Sequence, residues 1–267
     1  MTDPAGGPWF ATAFGAHYPL LYRHRDADEA ARAVALLPTL APLHEPILDL
    51  GCGDGRHLAL LAPQRRTLGL DLSPHLLAAA TARPDGAPAP LVRGDMRCLP
   101  LAAGSCGTVL SLFTAFGYFG PPAAHAAVVA GIARVLAPGG HWFLDYFDGE
   151  AVQAELGDGA PHGRERELGP VRVVEVRRYV AATRQVVKDV RLEARPGHED
   201  AARAWGVGPA GLAYAEEVAV FTRAELDDLA RAAGLAPAAA AGDYDGRPLG
   251  AGSRWILVYR QPERTAR

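Results

Sequence analysis

A glycine-rich segment follows the first strongly apolar run of the chain. The run Ile47–Leu50 carries Asp49 and leads into Gly51, Gly53 and Gly55, after which a helical stretch begins. Glycine lets backbone N–H groups approach a ligand closely because no Cβ intervenes, and the N-terminus of the following helix favours a negative group. This loop therefore predicts a ligand of the nucleotide or nucleoside class, held largely by backbone groups.

Two further acids stand at the ends of the next apolar runs. Asp71 comes 20 residues after Gly51, and Asp95 follows the third run. A carboxylate at the first position can accept hydrogen bonds from both ribose hydroxyls, and one at the second can accept from an exocyclic amine. Helix capping by Asp71 and a turn at Asp95 are the alternative roles. Three acids at three successive strand ends favour a nucleoside site.

The spacing of the glycines separates two cofactor classes. A dinucleotide-binding loop needs G-x-G-x-x-G, whose third glycine lets the helix pack tightly on the strand. Here Arg56 occupies that third position. A nicotinamide-dependent oxidoreductase is therefore the less favoured alternative. A non-catalytic, nucleoside-binding regulatory module is a second alternative that the loop alone does not separate from an enzyme.

Apolar strands that alternate with helices must position these residues. Five such strands are predicted in the first part of the chain, and two more follow near its end: Ile47–Leu50, Thr67–Leu72, Leu91–Val92, Thr108–Phe113, His141–Asp145, Ala238–Tyr244 and Trp255–Tyr259. The alternation indicates an α/β fold, a doubly wound, seven-stranded and mostly parallel sheet with helices on both faces. After the fifth strand the pattern changes to a β-rich antiparallel insertion.

Composition limits the classes of protein. The 267 residues are 49% hydrophobic and 21% charged with a net charge of −3, which is typical of a folded soluble chain and does not favour a nucleic acid partner. The chain has no apolar run long enough for a membrane span, so we expect no membrane partner and a cytoplasmic location. Three cysteines, Cys52, Cys98 and Cys106, are too few and too irregular for a zinc site, and no metal is expected.

Four segments together resemble the class I S-adenosylmethionine (SAM)-dependent methyltransferases. Their order and spacing fit that family over about residues 40–148, and the closing helix and last two strands fit it more weakly. The matching segments are Ile47–Gly55, Gly69–Ser73, Gly94–Pro100 and Val135–Asp145. The resemblance implies SAM as the cofactor and a methyl acceptor as the partner.

The resemblance also implies which residues bind the cofactor. The first loop would hold the methionine portion, the next two strand ends the adenosine, and the fourth strand end would line the methyl-donor channel. The residues carried over are Asp49, Gly51, Cys52 through its backbone, Gly53 and Gly55 for methionine, Asp71 for ribose, Leu72, Asp95 and Met96 for adenine, and Leu112 and Phe113 for the channel. Tyr22 and Arg25 resemble residues of N-terminal lids that cover the cofactor.

The segment after the fourth strand points to the acceptor class. It lacks the Asn/Asp-Pro-Pro-Tyr/Phe signature of amino-group methylation on bases or protein glutamine, and its residues Phe113–Phe119 resemble small-molecule members. The expected reaction is transfer of a methyl group to an N or O atom of a small molecule. A hydroxyl acceptor benefits from a base, whereas a neutral amine needs mainly positioning. The candidate catalytic residues are Tyr118, Tyr146 and His24.

Three regions follow from these patterns. Residues 1–45 form a predicted N-terminal helical lid, including a helix Asp26–Leu37 that ends at Pro38. Residues 46–148 and 221–262 form the predicted SAM-binding core. Residues 149–220 form the insertion, expected to be a substrate cover or a homodimer contact. Its predicted elements are strands Val171–Val180, Gln185–Ala194 and Tyr214–Phe221 and a loop Pro196–Gly211.

Overall fold

The computed structural model describes residues 9–15, 17–22, 27–84, 89–157, 160–250 and 254–263. Its helices are α1 Phe10–Ala13, α2 Tyr18–Leu21, α3 Ala27–Leu40, α4 Arg56–Leu61, α5 Pro74–Thr81, α6 Ala126–Val135, α7 Gly149–Leu156, α8 Glu199–Ala204 and α9 Arg223–Ala232. Its strands are β1 Ile47–Leu50, β2 Thr67–Asp71, β3 Leu91–Arg93, β4 Cys106–Ser111, β5 Leu136–Phe147, β6 His162–Leu168, β7 Val171–Val180, β8 Gln185–Ala194, β9 Leu212–Ala219, β10 Ala236–Ala241 and β11 Arg254–Arg260.

Seven strands form one sheet in the order β10-β11-β5-β4-β1-β2-β3. Strands β1 to β5 pair in parallel, and β11 runs antiparallel to both of its neighbours. The chain moves outward from β1 to β2 and β3, then returns to place β4 on the other side of β1. Ligands of such sheets bind at the carboxyl ends of the strands beside this reversal, which is where the glycine-rich loop begins.

The central strands are buried because helices cover both faces. Every residue of β1 and β4 is buried, as expected for strands in the middle of a parallel sheet. Leu48, Leu50 and Val109 join the largest apolar cluster, whereas Ile47 and Leu110 join the cluster on the other face. The predicted doubly wound sheet is therefore confirmed, and the loop between β1 and α4 starts from a rigid base.

A second, antiparallel sheet of order β6-β7-β8-β9 follows β5 and α7, which confirms the predicted β-rich insertion. Two of its arginines pair with acids on neighbouring strands, and Arg172 lies 2.5 Å from Glu165 and 3.4 Å from Glu193. Arg178 pairs in the same way with Asp189. These arginines are therefore neutralised on a solvent-facing surface.

Proline does not end the first long helix where the sequence predicted. Helix α3 runs through Pro38 to Leu40. Pro38 removes one backbone donor near the end of the helix, while Leu36 and Leu37 on the last turns are buried and favour its continuation. Thr39 donates its hydroxyl to the Leu36 carbonyl at 2.7 Å and satisfies one of the terminal acceptors. The predicted stop at Pro38 was wrong.

The predicted loop Pro196–Gly211 was also wrong in part, since it contains α8. Glu199 and Asp200 in its first turn complement the helix dipole, and Ala202 packs against the sheet with no exposed surface. Strand β6 had no sequence signal because charged residues occupy most of its positions, and its pairing with β7 defines it. Among the described residues, no helix is long and apolar enough to span a bilayer.

Candidate active site

The glycine loop adopts backbone angles that glycine favours. Gly51, Gly53 and Gly55 all have positive φ angles, of 82°, 56° and 75°. A Cβ on Gly51 would lie 2.7 Å from the Cβ of Ala115, so the loop packs closely against the segment after β4. The Gly51 amide also donates to the Leu70 carbonyl at 2.8 Å, which joins the loop to β2. The loop is therefore held from two sides.

Asp71 is oriented by two backbone donors. Its carboxylate accepts from the Gly53 amide and from the Ser73 amide, each at 2.8 Å. Burial raises the pKa of the Asp71 carboxyl, and these two N–H groups partly offset that rise. Each oxygen keeps further acceptor capacity, since a carboxylate oxygen has two lone pairs. This geometry suits a residue that accepts hydrogen bonds from a bound ligand.

Asp95 has a partner, Arg97, that the sequence pattern did not indicate. The guanidinium of Arg97 donates to both of its oxygens, with the shortest contact at 2.6 Å, and the Arg97 amide adds another bond at 2.9 Å. The side-chain bonds from Arg97 lower the pKa of the Asp95 carboxyl. Arg97 therefore favours the ionised form of Asp95 and orients its carboxylate.

Asp49 lies beneath the loop, with 1% of its surface exposed. Its Oδ2 atom has no hydrogen-bond partner among the described residues, and the nearest imidazole nitrogen, Nδ1 of His57, is 3.9 Å away. Burial raises the pKa of Asp49 to about 7 and lowers that of His57 to about 3. A buried acceptor without a donor is costly, and the raised pKa of Asp49 reflects the cost of burying its charged form.

An aromatic wall faces the acidic side of the site. Tyr118 packs edge-on against Trp9 with ring centroids 5.3 Å apart, and Phe10 packs edge-on against Phe119 at 5.5 Å. Phe14 lies 5.6 Å from Tyr118. The wall joins the first helix and its two flanking residues to the segment after β4. A concentration of aromatic residues before residue 23 was the available sequence signal for it.

One cavity of about 390 Å³ lies between the acids and the aromatic wall. Most of the predicted site residues line it: Tyr22, Gly51, Cys52, Gly53, Asp71, Leu72, Asp95, Met96, Leu112, Phe113 and Tyr118. Arg56 and His57, which were not among the predicted site residues, also line it. Their position on the first turn of α4, directly after the loop, was the signal that could have indicated them.

Five predicted residues lie elsewhere or cannot be placed. Asp49 and Gly55 support the loop without lining the cavity. Tyr146 is fully buried and donates its hydroxyl to the Ala219 carbonyl, so it has no access to the cavity and is not retained as a catalytic candidate. His24 and Arg25 fall outside the described residues.

The residues present fit SAM as a ligand. The Gly53 position is open enough for close approach, since an added Cβ would have only the Leu76 side chain at 4.0 Å. Asp71 is preoriented, and the buried Asp49 oxygen without a donor lies next to the loop. A ligand in the cavity could therefore place ribose hydroxyls at Asp71 and an amino acid portion along the loop backbone, as SAM requires.

Comparisons with known proteins agree with this fit. A sequence model described as a methyltransferase domain matches residues 47–140. The chain is 30% identical over 235 residues to a cypemycin N-terminal methyltransferase of Streptomyces sp, covering 85% of this chain and 88% of that protein. It is 35% identical over 150 residues to dTDP-3-amino-3,4,6-trideoxy-alpha-D-glucopyranose N,N-dimethyltransferase of Streptomyces venezuelae, covering 52% of this chain and 62% of that enzyme.

A solved structure extends the similarity to the whole fold. The SAM-bound structure of an amino pentose methyltransferase from Micromonospora echinaspora matches with a TM-score of 0.63 and 27% identity, covering 91% of this chain and 96% of that one. Fold, site and sequence together define a class I SAM-dependent methyltransferase. The chain belongs to that family.

Proposed function

We propose that this chain transfers a methyl group from SAM to a neutral amine nitrogen of a small molecule. The observation that carries the proposal is the cavity, whose acidic and backbone side faces an aromatic side. The acidic side suits the donor, and the aromatic side suits an acceptor that becomes cationic on methylation. Both relatives named above are, by their names, N-terminal or amino-sugar N-methyltransferases.

We assign the donor half of the cavity residue by residue. The loop backbone at Gly51, Cys52 and Gly53 would hold the methionine portion, with Asp49 and Gly55 supporting it from below. Asp71 would accept from the ribose hydroxyls, and Leu72, Asp95 and Met96 would surround the adenine. Leu112 and Phe113 would line the donor channel, and Tyr22 would cover the cofactor. The assignments rest on the lining of the cavity and the hydrogen bonds of its acids.

The chemistry asks little of the protein beyond alignment. SAM supplies a methyl group on a sulfonium, a leaving group that is already activated. Residues of the cavity would hold the amine in line with the carbon–sulfur bond and exclude water. The faces of Tyr118 and Phe14 would stabilise the positive charge that develops on the amine nitrogen, since aromatic faces attract cations. Tyr118 is thus the catalytic candidate that this proposal keeps.

Contacts of the antiparallel sheet favour its role as a cover. The Tyr22 hydroxyl donates to Glu216 of β9 at 2.8 Å, and Lys188 of β8 lies 2.7 Å from the same carboxylate. The Ala219 amide donates to the Gly117 carbonyl at 2.9 Å. The sheet is therefore joined both to the second helix and to the segment Phe113–Phe119 after β4. Its predicted use as a homodimer contact stays a prediction, which light scattering tests.

An acceptor panel tests the proposal. The enzyme is incubated with SAM that carries a CD3 group and with one acceptor at a time. The acceptors are amino sugars, peptides with free N-termini, sugars that carry only hydroxyls, and carboxylic acids. Mass spectrometry then detects labelled products. We expect a gain of the labelled methyl on amines and none on the other two classes. Transfer only to a hydroxyl or carboxylate would overturn the amine assignment. Binding of SAM with no transfer to any class would favour a regulatory module.

A further inference from the structure

A fully buried carboxylate lies directly beneath the donor channel. Asp145, near the end of β5, has no exposed surface. Both of its oxygens accept from Nη1 of Arg254, each at 2.7 Å. The carboxylate also accepts from the Tyr244 hydroxyl and from the Phe113 amide, the latter at 2.6 Å. Three separate segments of the chain therefore meet on one side chain.

The backbone above this carboxylate is strained. Phe113 and Thr114 both have φ angles of 57°, a left-handed conformation that is unfavourable for an L-residue with a side chain. The Thr114 amide donates to the backbone carbonyl of Asp145 at 3.2 Å. Such strain persists only where surrounding contacts impose it, and Asp145 contacts both strained residues.

Two arginines hold the ring of Phe113. The guanidinium carbon of Arg56 lies 3.7 Å from the ring centroid, and that of Arg254 lies 5.2 Å from it. Arg254 thus contacts both the carboxylate and the ring of the residue that donates to it. Ala115, two positions after Phe113, packs against Gly51. The strained segment therefore connects the Asp145 network to the glycine loop.

We propose that Asp145, held by Arg254 and Tyr244, is a positioning residue for methyl transfer. It fixes Phe113 to Ala115 in the strained conformation that shapes the donor end of the cavity against Gly51. None of the three network side chains lines the cavity, so each acts through Phe113. The inference rests on the proposed function, because a donor end has meaning only if SAM binds there. Small displacements of a reacting group lower rates by large factors.

A matched pair of tyrosine variants tests the network. Tyr244→Phe removes one hydroxyl from Asp145. Tyr259→Phe on β11 removes a comparable hydroxyl, which donates to Asp227 at 3.0 Å on the other side of the fold. We expect similar losses of Tm in both. Tyr244→Phe should also raise the Kd for S-adenosylhomocysteine at least fivefold and lower kcat at saturating cofactor at least tenfold, and Tyr259→Phe should change each by less than twofold.

Substitutions of Arg254 test whether a cation beside Asp145 restores cofactor binding and activity. Arg254→Met should reproduce the loss seen in Tyr244→Phe, and Arg254→Lys, which keeps a cation beside Asp145, should recover at least half of it. The inference is overturned if Tyr244→Phe and Arg254→Met change Kd and kcat no more than Tyr259→Phe does. If the wild type binds the nucleoside but methylates no acceptor, the proposed function fails while the Kd comparison still decides the inference. A wild type that does not bind the nucleoside overturns both.

Discussion

At the scale of single residues, three acids at neighbouring strand ends have different electrostatic environments. Burial raises the pKa of Asp49 to about 7 and raises that of Asp71, whereas Arg97 lowers that of Asp95. The sequence predicts the three carboxylates at these places because strand ends are readable from apolar runs. It does not predict their charge states, because those depend on burial and on Arg97.

Loss of Asp71 should weaken cofactor binding. Asp71→Asn cannot accept from Gly53, Ser73 and two ribose hydroxyls at once, because one of its two oxygens becomes an NH2 donor. We expect the Kd for S-adenosylhomocysteine to rise at least tenfold, about 1.4 kcal/mol, by calorimetry. The exposed Asp245→Asn is the control and should leave the Kd unchanged. An unchanged Kd in Asp71→Asn would remove Asp71 from the cofactor site.

The raised pKa of Asp49 gives a pH-dependent prediction for the cofactor-free protein. An ordinary aspartate has a pKa near 4 when unfolded, so below about pH 4 the carboxyl is protonated in both states and its burial costs no ionisation energy. From there the cost grows until about pH 7 and then stays constant. Asp49→Asn should therefore gain more Tm relative to wild type at pH 8 than at pH 5. An equal or smaller gain at pH 8 would contradict the raised pKa.

At the scale of elements, helix starts were readable and some ends were not. Ser73 caps α5 by accepting from the Leu76 amide at 3.2 Å, and Thr222 caps α9 in a reciprocal pair with Glu225. Short polar side chains at a helix start act locally, so sequence alone reveals them. The continuation of α3 past Pro38 depends on tertiary packing, which a local pattern does not contain.

The two caps give a matched prediction. Ser73→Ala and Thr222→Ala should each lower the free energy of unfolding by about 1 kcal/mol, because each loses one N-cap bond. The Ser73 hydroxyl also donates to the Phe14 carbonyl at 2.6 Å, so it connects α5 to the aromatic wall. Ser73→Ala should therefore raise the Kd for S-adenosylhomocysteine about threefold or more, and Thr222→Ala should not. Equal Kd values in both variants would show that this connection does not support the site.

At the scale of the whole molecule, two distant segments of the chain meet at Tyr22, which lines the cavity. The first helices and the antiparallel sheet share the cluster of Tyr22, Lys188 and Glu216. The sequence predicts each part, since one has helical and the other alternating patterns. It does not predict their contact, because the residues involved are more than 160 positions apart and give no local signal.

Breaking that contact should speed release of the cofactor. Tyr22→Phe keeps the ring that lines the cavity but removes the hydroxyl that donates a hydrogen bond to Glu216. The second helix should therefore separate from the antiparallel sheet more often. We expect the dissociation rate of S-adenosylhomocysteine, measured by stopped flow, to rise about fivefold. Arg172→Gln removes exposed ion pairs from the outer surface of the same sheet and is the control. Equal rates in both variants and wild type would argue against a covering role.

We expect the cavity between Asp71, Asp95 and the aromatic wall to bind SAM. Isothermal titration calorimetry of S-adenosylhomocysteine into the purified chain tests this most directly. NAD and NADP, the ligands of the alternative oxidoreductase class, are titrated separately for comparison. We expect one site per chain with a micromolar Kd for the nucleoside and no heat with either dinucleotide. Binding of a dinucleotide without binding of S-adenosylhomocysteine or SAM would contradict it.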